Sequence, residues 1–142
     1  MNTSKHETVL RKTLLANALF SGLSGLVALA ATDAVAAWMG VERVYIFELG
    51  AELMLFGAFV GFLVSRDLSL PWVRKAVAAV AALDVLWVIG SVALLLTPGI
   101  LTVAGQWTVG LVALAVADFA ALQIWGWWGM GRTPAVPAPA RA

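Results

Sequence analysis

Four long apolar runs leave this chain few ways to fold: Thr13 to Thr32, Val44 to Ser65, Ala76 to Leu96 and Val103 to Trp125. None holds a lysine, arginine or histidine. A hydrocarbon core about 30 Å thick is crossed by about 20 helical residues, and each run has that length. Short polar gaps separate them: Met39 to Arg43, then SRDLSLPWVRK with Pro71 as a breaker, then TPGI at Thr97 to Ile100. The predicted fold is therefore all-α, a polytopic membrane protein built as an antiparallel four-helix transmembrane bundle. Residues 1–131 form its single domain, and 132–142 a Pro/Ala-rich tail expected to be disordered.

Composition agrees. Hydrophobic residues make up 62% and charged residues 12%, against roughly half and a quarter in soluble domains. The net charge of +1 and the lack of basic clusters give no sign of nucleic-acid binding. The absence of cysteine removes disulfides, thiolate metal sites and iron–sulfur clusters.

Orientation follows from the basic residues. With four spans, Lys5, Arg11, Lys12, Arg66, Arg74, Lys75, Arg132 and Arg141 lie on one side, and Arg43 alone on the other. The positive-inside rule then places both termini in the cytoplasm. Trp72, Trp125, Trp127 and Trp128 suit the inner interfacial belt, and Trp38, Tyr45 and Trp107 the outer one. The AVA at Ala34 to Ala36 resembles a signal-peptide cleavage site. The preceding run is too long and too polar for a usual signal core.

The two halves of the chain echo each other. Asn17, Phe20 and Ser24 fall on Asp84, Trp87 and Ser91 at an offset of 67, and Glu52 and Arg66 fall on Asp118 and Arg132 at an offset of 66. This pattern suggests a parallel duplication of a helical hairpin.

The sharpest feature is acid inside oil. Asp84 is about 13 Å of helix from Lys75, while Glu52 and Asp118 are each about 21 Å from their inner arginines. A midplane Asp costs about 3 kcal/mol on insertion scales, and no basic residue stands ready to pair with these three. They are expected to turn inward onto a common centre with Asn17 and Trp87, with at least one carboxyl held neutral or neutralised by a cationic ligand. Asn17 and the serines read more readily as interhelical fasteners, and Trp87 as core filler. Gly57 to Gly61 (GAFVG) and Ser21 with Gly25 are small-residue patterns for close helix approach or a homodimer face.

What is missing narrows the chemistry. His6 is the single histidine and precedes the first run, so bis-His haem, copper and zinc sites are excluded, and no cofactor or metal is expected. No nucleophile motif or phosphate-binding loop is present, which argues against an enzyme.

The segments LLANALFSGLSGLVAL, ALDVLWVIGS and ADFAALQ resemble a widespread group of small, uncharacterised four-span bacterial inner-membrane proteins. The resemblance runs from about Leu10 to Gly129 and is carried by Asn17, Phe20, Ser21, Asp84, Trp87 and Asp118. It implies the fold and an inner-membrane location, and it brings no activity. Small multidrug transporters share the four-span plan, but they carry a deep Glu in the first helix where this chain has Asn17.

Two functions are compatible with these residues. The first is binding or transport of protons or a small cationic solute, with Glu52, Asp84 and Asp118 holding the charge and Asn17 and Trp87 shaping the site. The second is a non-catalytic accessory or assembly subunit of a membrane complex, its partners the bilayer and a second membrane protein or copy. A lipid or quinone binder is a third option, hinted at by the Trp-rich fourth run.

Overall fold

The computed structural model describes residues 3–131, so the expected disordered tail lies outside the described residues. The chain forms α1 (Thr3–Ala30), α2 (Thr32–Met39), α3 (Arg43–Val64), α4 (Pro71–Leu95) and α5 (Val103–Gly131), with no strand among the described residues. Four of these helices, α1, α3, α4 and α5, are long and apolar enough to cross a membrane. The chain is thus a helical bundle with the character of a membrane protein.

The short helix α2 was not expected from the sequence. The apolar run ends at Thr32 and the polar gap begins at Met39, which assigns no element to the residues between. Instead, Ala31 leaves helical geometry at φ −126° and ψ 36°, and the Thr32 hydroxyl donates to the carbonyls of Ala28 (2.8 Å) and Leu29 (3.0 Å). Such back-bonding bends a helix without ending it. The redirected segment continues to Gly40, whose φ of 77° closes the helix in the left-handed region. Trp38 then donates to Thr108 Oγ1 (3.1 Å) and Thr102 N–H to Met39 O (3.0 Å). In this way α2 joins the end of α1 to the start of α5. At the far end, Pro71 occupies the first turn of α4, where its missing N–H costs nothing.

The helices pack as a ring. α1 lies against α3 and α5, α4 lies against α5, and α3 touches α4 sparsely; α1 and α4 face each other across the centre without backbone contact. The tightest seam is α1–α3. A Cβ added at Gly25 would sit 2.7 Å from Gly50 O, and one at Gly57 would sit 2.8 Å from Gly22 N. Glycine is required there because the backbones themselves are in contact. GAFVG is therefore used within the chain, at Gly57 against α1. Partner numbers on α3 fall as those on α1 rise, from Ala28 on Gly50 to Ala18 on Gly57.

The main core is at the end where α3 turns into α4. Leu10, Leu14 and Ala18 of α1, Val60 and Leu63 of α3, Leu68 of the turn, and Val73, Val77 and Val80 of α4 form one buried cluster. Arg11 clamps the same end, donating to the carbonyls of Val64 and Arg66. Between α3 and α4, the rings of Phe62 and Trp72 meet at 6.4 Å.

Candidate functional site

Midway along α4, Asp84 points into the centre of the ring and is 4% exposed. Its Oδ2 accepts two amide hydrogen bonds, from Asn17 Nδ2 of α1 at 2.7 Å and from Gln123 Nε2 of α5 at 2.9 Å. Asn17 Oδ1 in turn accepts from the Ser21 hydroxyl at 3.2 Å. Asn17, Ser21 and Gln123 are all buried, Gln123 completely. Three helices thus meet at one carboxylate oxygen. The four groups follow from helical spacing: Asn17 and Ser21 lie one turn apart on α1, and Val77, Val80 and Asp84 share the inward stripe of α4.

The expected three-acid centre does not form within one chain. Asp118 is exposed. It is two positions from both Val116 and Ala120, which are buried, so it points roughly 160° away from the face that packs. Leu111, Leu114, Leu122 and Trp125, all exposed, surround it on that outer surface. Glu52 is exposed as well. It shares a face with Leu63, eleven residues on, yet Leu63 is fully buried. The same contrast holds on α4 between buried Val80 and Trp87, seven residues later and 37% exposed. With α3 and α4 touching only sparsely, these two helix faces are closed near the Ser65–Leu70 turn and more exposed further along, at Glu52 on α3 and Trp87 on α4.

The physical reason for the correction is that a polar stripe on a helix shows which residues share a face and does not say which face is inward. On α5 the packed face is the one with small side chains, Gly105, Ala113, Ala120 and Gly126. Small residues let the backbone approach, and that contact outweighs the preference for turning one acid inward.

Gln123 is the functional residue that sequence reasoning missed. Its signal was present: it is the one amide on the small-residue face of α5. The sequence-predicted residues therefore divide in three. Asn17 and Asp84 are joined directly, Trp87 and Glu52 are exposed on α4 and α3, and Asp118 is on the outer face of α5.

No family model matches the chain, and no curated protein or solved structure does either.

Proposed function

We propose that the chain is an integral membrane protein of the small four-span bacterial type, inserted as an antiparallel bundle with both termini cytoplasmic. Its function is to bind and pass on a small positive charge, a proton or a small cationic solute, at the Asp84 centre without catalysing a reaction. The observation that carries this reading is an acid at mid-helix, buried, held by two amides and, among the described residues, facing no cation.

The magnitudes favour a role beyond fastening helices. Placing Asp at the bilayer centre costs about 3 kcal/mol, while an interhelical hydrogen bond returns about 0.6 kcal/mol on average. Two such bonds recover less than half of the cost. A neutral amide or serine at the same position would fasten the helices more cheaply. An intramembrane acid kept at that expense is a functional site by default, and the sparse contact between α3 and α4 supports a route to it past Glu52 and Trp87.

The test is flux of protons and of small organic cations into proteoliposomes. Asp84→Asn is expected to abolish it while the protein still folds, and unchanged flux would end the reading. Orientation is checked separately on the cysteine-free chain. Lys75→Cys should be shielded from an impermeant thiol reagent added outside intact cells, and Arg43→Cys should be labelled.

A second reading has its own support. Glu52 and Asp118, exposed among apolar side chains, would be relieved by a neighbouring helix carrying a hydrogen-bond donor or a base. That is the expectation for an accessory or assembly subunit of a membrane complex. Recovery of a stoichiometric membrane partner that is lost in Glu52→Gln and Asp118→Asn would favour it.

A further inference from the structure

We infer that the charge taken up at this centre is a proton, carried on the free oxygen of Asp84 and held against the side-chain amide of Gln123. This rests on the reading of Asp84 as the functional centre and names what it binds. The argument is a count of donors and acceptors. Asp84 Oδ2 already accepts from both amides, and Asn17 Oδ1 is satisfied by Ser21. Gln123 Oε1, in a side chain with no exposed surface, has no donor. An ionised carboxylate offers acceptors alone and cannot supply one. A protonated carboxyl offers one donor and one acceptor, the complement of a primary amide. Two such groups already joined by Nε2–H to Oδ2 close a second, parallel bond from Oδ1–H to Oε1. The carboxylate takes one proton from water, its charge goes to zero, and the orphaned acceptor gains its donor.

Turning the Gln123 amide over does not remove the need for a proton. Its oxygen would then stand at 2.9 Å from a carboxylate oxygen, a contact that two acceptors tolerate only with a hydrogen between them. A metal cation fits less well. The acceptors these bonds leave open are Asp84 Oδ1 and Gln123 Oε1, and two oxygens fall short of the six or more that a hard cation takes.

Among the described residues no base approaches from any side. Arg74 and Lys75 are more than two turns away on α4 itself. On α1, His6, Glu7, Arg11 and Lys12 are also more than a turn towards the N-terminus from Asn17. Glu48 and Glu52 of α3 are exposed, as is Asp118 of α5, and Asp33 of α2 pairs with Arg43 at 2.9 Å.

Infrared spectroscopy of the reconstituted full-length protein tests this. At neutral pH a protonated-carboxyl C=O band is expected in the wild type. It should be lost in Asp84→Asn and shifted in Gln123→Leu, which removes the paired amide. Asp84→Asn reproduces the donor and acceptor of the protonated acid, so its melting temperature should match the wild type. Should that variant misfold, aspartate-specific isotope labelling of the wild type still assigns the band, and Gln123→Leu still moves it. Absence of the band, with stabilisation by sodium or potassium chloride over choline chloride, would replace the proton by an alkali cation and overturn this inference while leaving the Asp84 reading intact. Absence of the band with no salt effect and unchanged flux in Asp84→Asn would overturn both.

Discussion

The bond between Asn17 and Asp84 can be weighed by a double-mutant cycle, and its size reports the charge on the acid. The perturbations are Asn17→Ala, Asp84→Ala and the pair together, so that cavities and lost packing cancel and the interaction alone remains. The bond is 2.7 Å long and buried, at the short end of the N–H···O range. Interhelical hydrogen bonds between neutral groups in membranes average about 0.6 and reach about 1.7 kcal/mol, so a short, enclosed one belongs in the upper half, about 1–1.7 kcal/mol. A bond to an ionised group is worth about 1.5–3 kcal/mol, and more where few other donors share the charge. Ser21, left without its acceptor by Asn17→Ala, can turn back to a carbonyl of its own helix, which keeps the side effect small. Reversible unfolding in mixed micelles, read by tryptophan fluorescence, gives the four stabilities. A coupling near 1–1.7 kcal/mol is expected. Zero would mean that the two side chains do not meet in the folded protein, and a value of about 2 kcal/mol or more, beyond the neutral range, would mean that Asp84 is ionised and that the proton assignment fails.

Other consequences follow from the packing. Gly25→Ala and Gly57→Ala should each destabilise by about 1–3 kcal/mol, because backbone atoms of the facing helix lie within 3 Å of the new Cβ. Gly90→Ala, with nothing within 4 Å, should be neutral or stabilising by up to about 1 kcal/mol in the same unfolding assay. Replacing the exposed carboxyls by Asp118→Leu or Glu52→Leu should raise the membrane-insertion efficiency of the isolated chain by about 3 kcal/mol each; loss of insertion instead would place these side chains inside. In the α3–α4 turn, Asp67 Oδ1 accepts the Ser69 N–H at 2.9 Å, and bonds from the Ser69 backbone and hydroxyl hold its carboxyl below the ordinary 3.8. The turn's contribution is then full above that ordinary value and fades as pH falls through the lowered one; a carboxyl carbon titration with a midpoint at or above 3.8 would refute the bond.

The apolar runs made the number and rough bounds of the long helices legible, because the cost of exposing backbone or burying charge acts at the scale of a whole segment. Asn17 and Asp84 were legible as a pair through their offset. The outward positions of Glu52 and Asp118 were not. Assigning polar groups inward is sound on average, yet the orientation of a helix is decided by its closest backbone contacts, and on α5 these run through Gly105, Ala113, Ala120 and Gly126. Reading the small-residue face first would have turned α5 correctly and brought Gln123 to notice. The kink at Ala31 rests on one threonine hydroxyl, a local choice that apolar periodicity does not encode.

The offset between the halves acquires a physical meaning in the ring. A twofold axis relating α1 to α4 and α3 to α5 would bring equivalent positions of α1 and α4 face to face, and Asn17 and Asp84, 67 residues apart, are hydrogen-bonded across the centre. Two aspartates there would repel unless they shared a proton, whereas an amide beside an acid makes a neutral, complementary pair once the acid is protonated. The seams diverge in the same way. Phe20 closes the α1–α5 seam by an edge contact with Phe119 at 5.7 Å, while its counterpart Trp87 is partly exposed. Divergence of two matching hairpins would thus leave one acid, one sealed flank and one open flank. Under the proposed function, that asymmetry would give the charge one preferred path, which a centre equally open on both flanks would not.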